Sequence, residues 1–130
     1  MNKIESAIVI DDNDINNFIT QMMLASYGVT TIITFECAVN ALTYLKKTEI
    51  KYQLILIDIY MPTIDGFEFI EMFYELKLNK HHGEICLLSA SLALLHKKKA
   101  EEMKIKFFDK PLTIENLNCL EECETTKCYE

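Results

Sequence analysis

Apolar residues gather into five short runs, Ala7–Ile10, Thr30–Thr34, Leu54–Ile57, Ile85–Leu88 and Ile105–Phe108. Each is only a few residues long and rich in Val, Ile, Leu, Thr or Phe, which predicts strands. The run LILI at Leu54–Ile57 has no polar alternation, as a parallel sheet covered on both faces requires. Between these runs the period changes. Ile15, Phe18, Ile19 and Met22 recur at helical spacing, followed by Ala38, Ala41, Leu42 and Leu45, and then by Phe69, Ile70, Phe73 and Leu76. Such stripes predict the core-facing sides of amphipathic helices. A fourth helix is predicted from about Ser91 to Met103 on Leu92, Leu95, Ala100 and Met103, and a fifth from Thr113 on Ile114, Leu117 and Leu120. Gly28 is placed to close the first helix and Gly66 to open the third, while Pro62 and Pro111 follow strands. The alternation predicts a three-layer α/β domain of (βα)5 type over residues 1–124, with a C-terminal tail at 125–130.

Composition narrows this. A chain of 130 residues that is 50% hydrophobic supports one domain around one core. Thirteen Lys and Arg against 20 Asp and Glu give a net charge of −7, which speaks against general affinity for nucleic acid or anionic membrane and points to protein partners. No apolar run approaches the ~20 residues of a membrane span. The apolar stretch before the first acids, Ala7–Ile10, is shorter than the ~7–15 residues of an export signal core. A cytoplasmic location is therefore expected, and the five cysteines, Cys37, Cys86, Cys119, Cys123 and Cys128, are expected as reduced thiols. The last three lack the paired spacing of a zinc site. His81 and His82 follow no strand end and are expected as exposed loop residues.

In a parallel α/β sheet, ligands collect beyond the carboxyl ends of the strands. Asp11 and Asp12 follow the first strand, Asp58 ends the third, Ser89 ends the fourth and Lys110 follows the fifth. Taken singly, each has an ordinary reading as a helix cap or surface charge. Taken together they form one site. Three converging carboxylates need a cation or a shifted proton to relieve them, and oxygen-only donors suit Mg²⁺. A carboxylate beside such an ion can attack phosphorus and form an acyl phosphate, with a lysine neutralising the transferring oxygens. Asp58, directly after LILI, is the candidate nucleophile, Lys110 the lysine and Ser89 the hydroxyl that reports the arriving group.

The motifs IVIDDND, LILIDIYMPTIDGFEF, CLLSAS and FFDKPL, in this order and spacing, resemble the response-regulator receiver family of two-component signalling, including its chemotaxis-regulator-like single-domain members. The match runs from about Ala7 to Leu120. The resemblance implies a flavodoxin-like fold with strand order 2-1-3-4-5. It implies that Asp58 is the phosphoacceptor, that Asp12 binds Mg²⁺ directly and Asp11 largely through water, and that the backbone carbonyl of Tyr60 is a further ligand. Ser89 and Phe107 match the switch positions, Lys110 pairs with the phosphoryl group, Tyr60 and Ser91 tune its lifetime, and Pro111 follows a cis bond. The glycine common before the fifth strand is absent from EEMKIKFFDKP, so that loop is expected to be reshaped.

The function expected is that of a stand-alone receiver. It takes a phosphoryl group from a histidine kinase or histidine phosphotransfer protein and signals by changed protein binding, through a face that carries Lys97, Lys98 and Lys99. The alternative is a phosphorelay intermediate that passes the group on to a histidine phosphotransfer protein. Neither reading makes it an enzyme beyond its own phosphotransfer and autodephosphorylation.

Overall fold

The alternation read from the apolar runs is built as expected. The computed structural model describes residues 3–90 and 94–122. Its elements are β1 (Ser6–Ile10), α1 (Asp14–Tyr27), β2 (Thr31–Phe35), α2 (Ala38–Lys47), β3 (Leu54–Ile57) and α3 (Gly66–Glu75). After a 3-10 turn at Leu78–Lys80 come β4 (Glu84–Ser89), α4 (Leu94–Met103), β5 (Phe107–Asp109) and α5 (Ile114–Glu122). The strands form one parallel sheet in the order β2-β1-β3-β4-β5, the flavodoxin-like arrangement. Ser91, Leu92 and the tail at 125–130 lie outside the described residues.

β1 and β3 are buried along their whole length, and successive residues feed two cores, as the period of two along a strand dictates. Ile8, Ile10, Ile55 and Ile57 pack with Leu45 of α2, Phe69 and Phe73 of α3 and Ala100 of α4. Ala7, Val9, Leu54 and Leu56 pack with Leu24 of α1 and Leu117 of α5. Burying each such aliphatic side chain stabilises by about 1.5–3 kcal/mol. Local signals set the helix ends. Asn13 caps α1 by accepting from the Asn16 N–H, and Gly28 ends that helix at φ 116. Asp65 and Glu68 cap α3 reciprocally.

Three expectations need correction. The stripe Ile15, Phe18, Ile19 and Met22 faces solvent, and α1 instead buries Asn17, Thr20 and Leu24. Periodicity reveals an apolar face but not which side the sheet occupies. Leu76, Leu95 and Ile114 are likewise exposed.

His82 is buried rather than exposed. Its Nδ1 accepts from the Tyr52 N–H at 3.2 Å, and its Nε2 lies 3.2 Å from the Leu45 carbonyl. An acceptor on one nitrogen and a donor on the other require the neutral ring, and burial pushes its pKa down.

Cys119 is disulfide-bonded, with Cys123 and Cys128 outside the described residues; Cys37 and Cys86 are free thiols. An odd cysteine count does not say which sulfurs are neighbours.

The missing glycine before β5 leaves Lys104 in the left-handed region at φ 60. The Lys104 and Ile105 N–H groups still close the end of α4 on the carbonyls of Glu101 and Ala100.

Candidate functional site

Strand register brings the acidic residues to one rim. Ile10 lies beside Ile57 and Phe35, Ile57 beside Leu87, and Leu87 beside Phe107. The pairing continues one step past the strands. Asp11 N–H donates to the Phe35 carbonyl, Asp58 N–H to that of Ile10, and Lys110 N–H to that of Ser89, all at 2.9–3.0 Å. The backbones at Asp11, Asp58, Ser89 and Lys110 are thereby held against their neighbours before any side chain meets.

The turns after β1 and β3 are locked locally. The Asn13 N–H donates to Asp11 Oδ1 at 2.9 Å. Asn17 Nδ2 donates to the carbonyls of Asp11 and Phe35, at 2.9 and 3.2 Å. Gly66 must be glycine for close approach: a Cβ there would stand 2.5 Å from the Asp58 carbonyl oxygen. Its N–H donates to the Ile59 carbonyl at 2.9 Å, which fixes the start of α3 beneath the loop. Within that loop Thr63 holds φ 73, a strained conformation for a β-branched residue.

Asp11, Asp12 and Asp58 each offer a carboxylate oxygen within 4.8 Å of the others. Asp11 and Asp58 are buried while Asp12 is exposed, so the cluster is open on one side. Lys110 Nζ makes an ion pair with Asp11 and stands 3.6 Å from Asp58 Oδ2. Asp58 Oδ1 accepts from the Ile59 N–H at 2.9 Å. Burial raises the Asp58 pKa. Lys110 opposes that shift, the Asp11 charge adds to it, and hydrogen bonds from the Ile59 N–H and Ser89 favour the carboxylate. A hard divalent cation placed among these oxygens would reverse the penalty for ionisation. The donor set, with no sulfur or imidazole, fits Mg²⁺.

The five residues expected at the site, Asp11, Asp12, Asp58, Ser89 and Lys110, thus share one rim. Tyr60 lies in the loop after β3 with its side chain 56% exposed, hydrogen-bonded to His96 of α4. Phe107 is buried in β5 against the α2, α3 and α4 side. The Lys110–Pro111 bond is cis, as expected. Asn17 and His96 were not singled out from sequence. Asn17 interrupts the helical stripe with a polar residue one turn beyond the cap, a signal readable only once α1 is known to bury that side. No local pattern marks His96.

Comparison with known proteins agrees with the geometry. A family model described as response regulator receiver domain matches residues 7–120. A two-component response regulator from Cytophaga hutchinsonii superposes with a TM-score of 0.80 at 33% identity, over 92% of this chain and 96% of that one. A response regulator receiver protein from Dyadobacter fermentans gives 0.78 at 27% identity, over 88% and 92%. The 3',5'-cyclic-nucleotide phosphodiesterase regA of Dictyostelium discoideum is 30% identical over 115 residues, which is 85% of this chain but 14% of that protein. Among the described residues, no helix is long and apolar enough to cross a membrane.

Proposed function

Because this chain belongs to the response regulator receiver domain family, we propose that it accepts a phosphoryl group on Asp58 from a phosphohistidine protein, in a Mg²⁺-dependent reaction, and signals by changed protein binding. One observation carries the reading: three carboxylates share a site whose oxygens lie within 4.8 Å, and a lysine reaches two of them. Packing alone gives no reason to assemble that charge at the end of a buried strand.

The residues divide the work. Asp58 Oδ1 is engaged by the Ile59 N–H, so attack on phosphorus falls to Oδ2, which faces Lys110. An electron pair of Oδ2 forms the new phosphorus–oxygen bond while the phosphorus–nitrogen bond of the donor breaks and its imidazole leaves with the pair. Lys110, freed from Asp11 as charge arrives, neutralises a phosphoryl oxygen, and the Ser89 hydroxyl donates to another. Asp11, Asp12, Asp58 and the Tyr60 carbonyl would hold Mg²⁺, which when bound supplies positive charge against the phosphoryl oxygens.

The donor docks on α1. Ile15, Phe18, Ile19 and Met22 stand at i, i+3, i+4 and i+7 on an exposed face directly after Asp11 and Asp12. A stripe of that spacing takes an apolar helix, and Asp12 and Asp14 beside it favour a basic rim on the partner. Intact mass after acetyl phosphate with Mg²⁺ tests the acceptor. A gain of one phosphoryl group is expected in the wild type and none in Asp58→Asn; an equal gain in both would overturn the assignment.

A further inference from the structure

Asp11 hangs on the least supported strand of the sheet. Its N–H donates to the Phe35 carbonyl, and Phe35 ends β2, an edge strand whose residues are exposed or half-buried. A strand paired on one side and open to water on the other is among the first parts of a sheet to open locally. Asp58 hangs instead on the Ile10 carbonyl of β1, which is buried throughout. Asn17 offsets the difference. It is only 3% exposed, and its one amide group donates both to the Asp11 carbonyl, at 2.9 Å, and to the Phe35 carbonyl, at 3.2 Å. The Asp11 peptide and the end of β2 are thereby tied to the start of α1. The buried Asn17 Oδ1 has no hydrogen-bond partner among the described residues, so the side chain is held there by its two donors. With its peptide fixed, Asp11 keeps only its side-chain torsions, and these are set at both oxygens. Oδ1 accepts from the Asn13 N–H at 2.9 Å, and Oδ2 pairs with Lys110.

Resting on the reading of the three aspartates as a Mg²⁺ site, we propose that Asn17 is a positioning residue for it: it anchors the Asp11 backbone to α1, keeps that carboxylate turned toward Lys110 and Asp58 when the edge strand opens, and so sets the affinity for Mg²⁺. Asn17 touches the backbone of Asp11 and not its carboxylate, so it acts through Asp11. Groups that orient a metal ligand in this way govern affinity because a carboxylate free to turn must be re-ordered each time it binds. Without the amide, the Asp11 and Phe35 carbonyls at the buried rim each lose a donor, and the turn carrying Asp11 and Asp12 shifts to recover one from water.

Titration calorimetry of Mg²⁺ binding to the folded chain tests this. Asn17→Leu keeps the branched shape and removes both donors, and Asn17→Ala removes the same donors with less bulk, so that one carries the test if the other folds poorly. Each should raise the Kd for Mg²⁺ about tenfold. Leu24→Val shortens a buried side chain on the same helix; it should lower the melting temperature yet keep the Kd within about twofold of wild type, because that site is independent of the rim. A second readout needs no metal. The Asn13 N–H reports where Asp11 Oδ1 points, and its hydrogen exchange should quicken about fivefold in Asn17→Ala, the loss of one hydrogen bond, while Leu24→Val leaves it unchanged. A wild-type Kd in both Asn17 variants, an equal loss of affinity in Leu24→Val, or unchanged Asn13 exchange would overturn the anchor. A wild type that binds no Mg²⁺ while its Asn13 exchange responds to Asn17→Ala would instead refute the metal reading and leave the anchor standing.

Discussion

Phe18 separates docking from chemistry most cleanly. Its side chain is 60% exposed, and a phenylalanine buries roughly 200 Å² when fully covered, so about 120 Å² remains for a partner to cover. At about 25 cal/mol per Å² that area is worth ~3 kcal/mol, which falls to about 2 kcal/mol for truncation to alanine if a rim of water persists. Phe18→Ala should therefore weaken the docking of a helical phosphodonor by about 30-fold. Its cost to folding should stay within about 0.5 kcal/mol, because the ring is already in water. The assay compares two donors on one variant. Transfer from a phosphorylated histidine phosphotransfer protein, read at subsaturating concentration, should fall by that factor. Phosphorylation by acetyl phosphate, which needs no docking surface, should keep its wild-type rate. Equal losses with both donors would mean that Phe18 acts on the acceptor site itself, and no loss with the protein donor would remove α1 from the docking surface.

Three further outcomes follow from the geometry. The folded pKa of His82 is lowered, so the unfolded chain binds a proton that the folded chain refuses. The resulting stability is complete above about pH 6.5 and is lost as pH falls toward the lower folded value. Thermal melts should fall more steeply from about pH 7 to about pH 5 in the wild type than in His82→Gln, and parallel curves would refute this. Gly66→Ala forces a Cβ to within 2.5 Å of the Asp58 carbonyl oxygen and should cost about 2 kcal/mol in urea unfolding, with slower phosphorylation; a cost below about 0.5 kcal/mol would mean the loop shifts freely. Mg²⁺ at about 100 times its dissociation constant should stabilise the fold by ~2.7 kcal/mol over an EDTA-treated sample. Asp12→Asn should reduce that gain, and a shift of equal size in the variant would argue against Asp12 as a ligand.

The fold was legible because a parallel sheet buried on both faces leaves a signal that loops do not blur. Leu54–Ile57 is a strand at the bounds its apolar run defines, and β1 and β4 extend theirs by one or two residues. α2 and α3 bury Ala41, Leu45, Phe69 and Phe73 as their stripes predict. The reading failed where a side chain answers to a backbone group rather than to a period. His82 stands in a loop but satisfies the Tyr52 N–H and the Leu45 carbonyl, which makes burial favourable for a polar ring. α1 turns its polar side inward because the carbonyls of Asp11 and Phe35, at the strand ends, need the Asn17 amide.

The residues that share the rim were legible by position, since strand ends in such a sheet converge whatever joins them. What position does not encode is contact between loops and helices far apart in the chain, such as that between Tyr60 and His96. The two departures from simple packing flank the same rim. On one side an apolar helix face remains in water; on the other an exposed aromatic is tied down. Packing alone favours the reverse, with Phe18 and Ile19 covered and Tyr60 free. Local rules are broken where a surface serves something other than stability. Both breaks lie on segments that directly follow the strands carrying the rim carboxylates, α1 after β1 and the loop after β3.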